Sequence, residues 1–565
     1  MEEFEKHYKK MNEQQKKAVN AIEGPVLVIA GPGSGKTEIL SLRVANILKE
    51  VDVYPSNILC LTFTDSAAVN MRERLKDLIG PEAYNVAVHT FHSLGRDIRN
   101  FHPEIFYRRD IFTSADELTQ LSVLEDIFDS LSYDNPLAKT HPDRGYLYIN
   151  EAKRSIEHLK KAGLTPEEFL AVLNHNEQSL KFLNPLIDEA FGPRISKDLF
   201  DKLPSMIEEM QDYEGEEFPV EHMQPLVPIV VSSLERALNK AVNADKTSPL
   251  TQWKNDWTYK TEEGDRAMKE TKYLEKMKAL ASVYKSYNKE MEQRGYYDFN
   301  DMILDVIKAI KENDELRYEL QEQYQYILVD EFQDTNDAQM RLLHLLTGAE
   351  VQEGRPNLMV VGDDDQAIFK FQGAEISNIL EFQDRYREPR IITLTKNYRS
   401  RQDILDIARH IITQGDERLE NSITQVEKEL EAEKEKEGKV VSKSFPAKSH
   451  QYYWIAQEIN ELIEDGLDPE KIAVIGREHK HLKNLVPHLA NFGIPINYER
   501  QRDVLQEPHI RQLIKMARFV VSLVNSDQED ADDLLPEILS YPFWGLSREK
   551  VWRLSRKAYK EEKPW

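Results

Sequence analysis

Ala30-Gly31-Pro32-Gly33-Ser34-Gly35-Lys36-Thr37 is the segment of this 565-residue chain best suited to chemistry. Its glycines let successive backbone N–H groups curl around phosphate oxygens. Lys36 offers a cation to β- and γ-phosphates, and the Thr37 hydroxyl can complete a Mg²⁺ shell. The bland alternative is a glycine-rich turn with an incidental lysine. The apolar strand before the loop and the helix pattern after it argue against that. Ala30, where such loops usually lead with glycine, is a mild departure. A second pair, Asp330-Glu331, ends the apolar run Tyr326–Val329. A carboxylate at a strand tip can face Mg²⁺ beside a phosphate loop. Its neighbour Glu331 is then placed to orient and deprotonate an attacking water. Adjacent acids at a strand end are otherwise ordinary solvent-facing groups. Beside the loop they specify nucleoside triphosphate hydrolysis, without saying what the hydrolysis drives.

Such residues need rigid elements to position them. Pro25–Ala30, Ile58–Phe63, Tyr326–Glu331, Leu358–Asp363 and Ile391–Thr395 are short apolar runs that read as buried parallel strands. After Lys36, residues Ile39, Leu40, Val44, Ile47 and Leu48 fall on one helical face. Met340, Leu343 and Leu346 do the same after Asp337. Strands alternating with helices predict an α/β domain built on a parallel sheet. From Arg96 to Gly295 the chain is polar and helix-rich. There Thr165-Pro166-Glu167-Glu168 is a capping box with proline at the first helical position, and Ser114-Ala115-Asp116-Glu117 is a second helix start. This stretch reads as a helical insertion. After Ser400, Lys439–Phe445 and Lys471–Gly476 look like strands of a second α/β unit. The charged run Glu427–Gly438 reads as a solvated helix or linker.

Bulk properties narrow the class. The net charge of −25 opposes nucleic-acid binding by the whole surface, but leaves a local basic groove open. The single cysteine, Cys60, excludes an internal disulfide and a cysteine-based zinc site, and suits a reducing cytoplasm. It sits in an apolar run and reads as a small buried hydrophobe. No stretch approaches the about 18 apolar residues of a membrane span. The first ten residues lack the apolar core of a secretory signal.

Further motifs follow in order. Asn12-Glu13-Gln14-Gln15 precedes the loop, and Thr90-Phe91-His92-Ser93 lies between the two nucleotide motifs. Asp330-Glu331-Phe332-Gln333-Asp334-Thr335-Asn336 continues to Gln339. Val361-Gly362-Asp363-Asp364-Asp365-Gln366-Ala367-Ile368-Phe369 and Asn397-Tyr398-Arg399-Ser400 come next. This ordered set resembles the UvrD/Rep/PcrA-like superfamily-one DNA helicases, from about Met11 to Pro508. The resemblance implies a RecA-like P-loop NTPase domain (1–95 and 296–396) with an inserted helical domain (96–295). It further implies a second RecA-like domain (397–505) and the start of a second helical insertion (506–565). It implies ATP and Mg²⁺ as cofactors, with single-stranded or 3′-tailed duplex DNA as partner. Gln15 then looks like the reader of the adenine edge and Gln366 like a γ-phosphate sensor. Arg399 resembles an arginine supplied to the γ-phosphate, and Tyr398 a ring stacked on adenine. Phe63, Thr64, Phe91, His92, Phe369 and Phe371 match DNA-facing positions, each aromatic also suiting a core.

There are departures. Asp65-Ser66 stands where many relatives have Asn-Lys, Phe371-Gln372 where many have Trp-Arg, and Glu38 where a basic residue is frequent. Two later family motifs find no match after Lys471. The chain therefore reads as an N-terminal portion whose second RecA-like domain is incomplete. The implied activity is an ATP-dependent 3′–5′ DNA helicase of repair or recombination. A helicase subunit of a helicase–nuclease, and a non-motor ATP- or DNA-binding module, are the alternatives.

Overall fold

In a computed structural model the apolar runs become strands, four of them buried on both faces and the run at Ile391 half-buried. The structure describes residues 2–106, 113–141, 145–220, 222–367, 377–414, 420, 428–434, 439–498, 507–524 and 528–561. It divides into two units, Met1–Val440 and Val441–Trp565.

The first unit is built on six strands: β1 (Val26–Ala30), β2 (Ile58–Thr62), β3 (Ala87–Thr90), β4 (Tyr326–Val329), β5 (Leu358–Gly362) and β6 (Arg390–Leu394). They form one parallel sheet in the order β6-β1-β5-β4-β2-β3. Five of these strands are the five apolar runs of the sequence. The sixth, β3, is too short to stand out from its surroundings. Side chains alternate across the sheet. Leu27, Ile29, Leu59, Leu61, Ile327 and Val329 enter one core, while Val26, Val28, Ile58, Cys60, Tyr326 and Leu328 enter the other. Cys60 is fully buried, and burial pushes its thiol up to about 12.

Helices α1 (Glu13–Asn20), α2 (Lys36–Glu50) and α3 (Asp65–Ile79) cover the second face through Ala18, Val19, Ile39, Val44, Met71 and Leu75. Helix α4 (Phe91–Phe101) starts the other face, and the chain then leaves for the insertion. Within the insertion lie α5 (Ile149–Lys161), α6 (Pro166–Phe191) and α7 (Lys269–Gln293). The α6 capping box forms: Thr165 Oγ1 accepts from Glu168 N at 3.1 Å and Glu168 Oε2 from Thr165 N at 2.9 Å. At the other anticipated start, the residue that caps is Asp116, which accepts from Thr119 N. Phe169 and Leu173 of α6 serve one helical core, and Leu183, Ile187 and Phe191 serve another. The chain returns through α8 (Asp301–Glu312) and α9 (Asp337–Leu346), whose apolar faces close the first core.

A buried joint helps fasten the insertion to the sheet layers. Lys160, at the end of α5, is fully buried and lies 2.5 Å from both Asp298 Oδ2 and Asp301 Oδ1 beside α8. Thr113-Ser114 and Tyr296-Tyr297 pair in parallel at the same crossing.

After β6 come β7 (Lys396–Asn397), α10 (Gln402–Ile412) and β8 (Glu431–Ala432). β7 and β8 pair in parallel. In the described part of Glu427–Gly438 the solvated reading holds for Glu429, Glu431, Glu433 and Lys434, which are exposed, but not for Lys428, which is buried; residues 431–432 are a short strand and not a helix. The acids that receive Lys428 lie far away in sequence, so a charge run alone did not mark it.

The second unit contains helices Lys448–Glu464, His479–Asn491, Pro508–Val524, Gln528–Leu539 and Arg548–Glu561. Tyr452, Ala456, Ile459, Leu485 and Leu489 form its core. The strands anticipated at Lys439–Phe445 and Lys471–Gly476 do not form a ladder among the described residues. Ile475, for instance, is 94% exposed. An apolar pattern suits a pleated, half-buried surface but does not supply the neighbour that buries it.

Candidate nucleotide site

The sheet order decides the site. β5 lies between β1 and β4, so the loop after β1, the turn after β5 and the acids after β4 project from adjacent strand tips. The β1 loop runs from Ala30, fully buried at the strand end, to Lys36 and Thr37 in the first turn of α2. Gly33 and Gly35 have φ of +72° and +91°, the left-handed region that side chains disfavour. Gly35 is the N-cap of α2 and supplies no side-chain cap. The N–H groups of the first turn therefore have neither a capping side chain nor an intrahelical acceptor. Ser34 is buried, and its Oγ donates to Gly31 O at 2.7 Å, tightening the loop on itself.

Lys36 Nζ donates to Glu331 Oε2 at 2.6 Å and reaches Gln366 Oε1 at 3.4 Å. Glu331 has φ +49°, uncommon for a non-glycine residue and typical of sites where strain is stored. Gln333 Nε2 donates to the same Glu331 oxygen at 2.8 Å, and Gln333 Oε1 accepts from Asp363 N at 3.0 Å. Gln333 thereby joins the β4 acids to the β5 turn. Asp330 is 7% exposed. Burial, and then the Glu331 carboxylate, push its carboxyl up to about 6, against the opposing pull of Lys36. Asp334 is raised to about 6 by the same causes in the same order.

Gln15 and the 397–400 segment flank the loop. Gln15 is buried; its Oε1 accepts from Asn12 N at 3.1 Å and its Nε2 donates to Ser34 O at 2.9 Å. Both ends of its amide are thus engaged by the cap and the loop. Arg43, fully buried and lowered to about 9 by burial, fixes α1 by donating to the carbonyls of Ala18, Ala21 and Ile22. Tyr398 N donates to Gly33 O at 2.9 Å, and its hydroxyl accepts from Asn12 Nδ2 at 2.9 Å. Asn397 donates through Nδ2 to Pro32 O, and its Oδ1 accepts from the N–H groups of Arg399 and Ser400. The Arg399 side chain is exposed. Lys36, Glu331, Gln366, Gln15 and Tyr398 are therefore brought to one loop, with Thr37 and Asp330 beside them.

The DNA candidates are scattered. Phe63 lies past the end of β2 and is half-buried; Thr64 is exposed and caps α3 by accepting from Ala67 N at 3.1 Å. Phe91 is 3% exposed and packs with Leu94 and Ile98 in the sheet core. His92 stacks on Phe299 with ring centroids 3.8 Å apart and planes 20° from parallel. Burial, then Lys161, pull His92 down to about 4, so its ring is neutral at pH 7. Phe369 and Phe371 lie outside the described residues. Among the departures, Glu38 pairs with His7 at 3.1 Å.

Sequence reasoning missed Gln333, Asn397, Lys428 and Phe299. Gln333 and Asn397 stood inside quoted motifs without a role. Phe299 had a faint signal, as the third ring in Tyr296-Tyr297-Asp298-Phe299. Lys428 had none.

The site fits a triphosphate with magnesium. A Cβ on Gly31 would fall 2.8 Å from Leu430 Cδ1, and one on Gly33 2.6 Å from Arg399 Cβ, so the loop is built for bare backbone. The buried Asp330 carboxyl, raised beside a second acid, is a group that a divalent cation would relieve. No cluster of three or more His, Cys, Asp or Glu among the described residues could hold a metal alone. Thr37 and Asp330 would hold it together with phosphate oxygens.

A glycine-laden strand–loop–helix, facing acids across a parallel sheet, defines the RecA-like class of nucleotide-binding folds. Residues 11–387 match the UvrD/REP helicase N-terminal domain, and residues 392–560 match the UvrD-like helicase C-terminal domain. The chain belongs to the UvrD/REP helicase family. It is 30% identical over 411 residues to an ATP-dependent DNA helicase PcrA of Staphylococcus epidermidis, covering 73% of this chain and 41% of that protein. It is likewise 30% identical over 409 residues to the PcrA of Staphylococcus aureus, covering 72% of this chain and 40% of that protein. This chain thus spans less than half the length of the curated relatives it matches. The C-terminal match corrects one expectation. Two missing short motifs suggest an incomplete second domain, yet the family's C-terminal domain is matched across residues 392–560. A domain's likeness is spread over its apolar spacing and is not confined to its catalytic motifs.

Proposed function

We propose that this chain binds ATP and Mg²⁺ at the β1–α2 loop and uses hydrolysis to move 3′ to 5′ along single-stranded DNA, opening a 3′-tailed duplex ahead of it. The observation that carries this reading is the convergence of Lys36, Glu331 and Gln366 within hydrogen-bonding distance at three neighbouring strand tips. The family, and relatives named as ATP-dependent DNA helicases, support the choice of ATP and DNA.

Magnesium, held by Thr37 and Asp330, would neutralise phosphate charge. Residues 30–35 bend the backbone so that its N–H groups meet the phosphates. Lys36 releases Glu331 and turns to the β- and γ-oxygens. That release frees the Glu331 carboxylate to take a proton from water. Gln366 senses the γ-phosphate, and the exposed Arg399 steadies charge developing on it. Gln15 and Tyr398 flank the adenine. Phe63, Thr64, and His92 with its stacked partner Phe299 contribute to the DNA path, with Phe369 and Phe371 added by family resemblance. Phe91, a core residue, does not. The cytoplasm, and DNA repair or recombination, are the proposed setting.

The test is ATP hydrolysis with and without single-stranded DNA for wild type and Lys36→Ala, followed by unwinding of 3′- and 5′-tailed duplexes. Wild type should hydrolyse faster with DNA and open only the 3′-tailed substrate, and Lys36→Ala should do neither. Equal hydrolysis by the two proteins would sink the site. ATP binding without DNA-stimulated turnover would favour a non-motor binding module.

A further inference from the structure

Lys428 is a buried cation that the hydrolysis scheme above does not use. Its ammonium lies 2.7 Å from Asp363 Oδ1 and 2.9 Å from Asp365 Oδ2, and it also bonds Asp364 Oδ1. Three consecutive carboxylates at one turn repel one another, and Asp363 and Asp364 are themselves buried. The other oxygen of Asp363 accepts from Gln366 Nε2 at 2.6 Å. One carboxylate is thus shared between Lys428 and the residue whose opposite end faces Lys36.

The cation is itself anchored. Lys428 N donates to Glu420 Oε1 at 2.8 Å, and that carboxylate accepts from Arg409 Nη2 at 3.0 Å. Arg409 lies on α10, the helix that starts just after Arg399 and Ser400. Two residues beyond Lys428, Leu430 covers Gly31 of the phosphate loop.

We infer that Lys428 is a positioning residue: it holds the Asp363-Asp364-Asp365 turn so that Gln366 stays aimed at Lys36, and it ties that aim to the segment bearing Arg399. The inference rests on the ATP reading proposed above. Removing the cation leaves three like charges in one partly dry turn. Asp363 must then rotate or take a proton, and either change alters the acceptor that orients Gln366. A brace with no part in this orientation would lower stability alone. A positioning residue changes turnover while the loop still binds nucleotide.

The experiment uses the full chain as wild type, Lys428→Met, Lys428→Arg and the double variant Lys428→Met/Asp365→Asn. Thermal melts accompany steady-state ATP hydrolysis at saturating single-stranded DNA. For Lys428→Met, kcat should fall at least about tenfold while KM for ATP stays within about threefold. Lys428→Arg should keep most of the turnover, because a cation remains. The double variant, with one repelling charge fewer, should regain part of what Lys428→Met lost, and it keeps the test valid if the single variant is unstable. Wild-type kcat in Lys428→Met overturns the inference. So does an Lys428→Arg variant as impaired as Lys428→Met, or a double variant with no recovery. A wild-type chain that hydrolyses no ATP overturns the nucleotide reading itself, a result distinct from hydrolysis that ignores Lys428.

Discussion

Lys36 Nζ and Glu331 Oε2 are 2.6 Å apart, so the cation of the phosphate loop and the acid of the neighbouring strand tip neutralise one another. On the proposed mechanism, both must change partner before phosphate is held and water activated. Glu331→Gln removes the negative charge and the base but keeps the shape. Mg-ATP binding should persist, and hydrolysis should slow at least about a hundredfold, the usual share of a general base. Binding of a fluorescent ATP analogue and steady-state turnover check the two halves. Undiminished turnover would remove Glu331 from its role.

Two glycines with positive φ separate conformational cost from crowding. Gly33 (φ +72°) would place a Cβ 2.6 Å from Arg399 Cβ and 2.9 Å from Asn397 Nδ2, whereas Gly545 (φ +65°, ψ 15°) has nothing within 4 Å. Gly545→Ala should cost only the left-handed penalty of about 1–2 kcal/mol and leave ATP hydrolysis intact. Gly33→Ala should cost more in thermal melts and also raise KM for ATP, because Asn397 and Arg399 must shift. Equal effects from the two substitutions would refute the crowding.

Asp330 makes the molecule pH-sensitive in a stated direction. Its folded value, about 6, lies above the ordinary 3.8, so the folded state binds the proton more tightly than the unfolded state. Its contribution to stability therefore rises as pH falls from above 6 towards 4, by up to about 2–3 kcal/mol. Asp330→Asn, already neutral, should lack that component. Melts at pH 7.5 and 5 would measure it as the difference between the two proteins in the absence of Mg²⁺. Protons also compete with the metal, so the Mg²⁺ needed for half-maximal turnover should rise below pH 6 in wild type. Parallel pH profiles for the two proteins would contradict this assignment.

Lys160 faces Asp298 and Asp301 in a dry joint. Lys160→Met keeps the length of the side chain but strands two acids. A loss of about 3–5 kcal/mol is expected, as when one partner of a buried ion pair is removed. Denaturant unfolding checks it, and a loss below about 1 kcal/mol would show that the joint is wet enough to tolerate the change.

The legible parts of the sequence were those whose signal is local. Five strands and the loop from Ala30 to Thr37 could be read directly because a continuous apolar run followed by glycines has few other meanings. The insertion showed through its helix starts. Lys428 did not show, because a charge run looks solvated until its acids, far back in sequence, are brought against it. Asn397 was quoted as part of a motif, yet its grip on Pro32 depends on where β7 lands. Phe91 and His92 are adjacent, and only packing decides that one enters the core while the other stacks on Phe299. Lys439–Phe445 and Lys471–Gly476 carry a strand pattern but, among the described residues, no ladder partner, which a pattern cannot supply.

The insertion leaves and re-enters the sheet layers at one crossing, where Thr113-Ser114 runs alongside Tyr296-Tyr297. To the rest of the polypeptide, the whole intervening helical block is topologically a short bridge between two adjacent points. Once that block has folded, the entropy of joining β3 to β4 is that of the flanking segments 91–112 and 298–325, and not of the whole stretch between the strands. Evolution could therefore lengthen, shorten or reshape the block with little effect on how the six strands find their order.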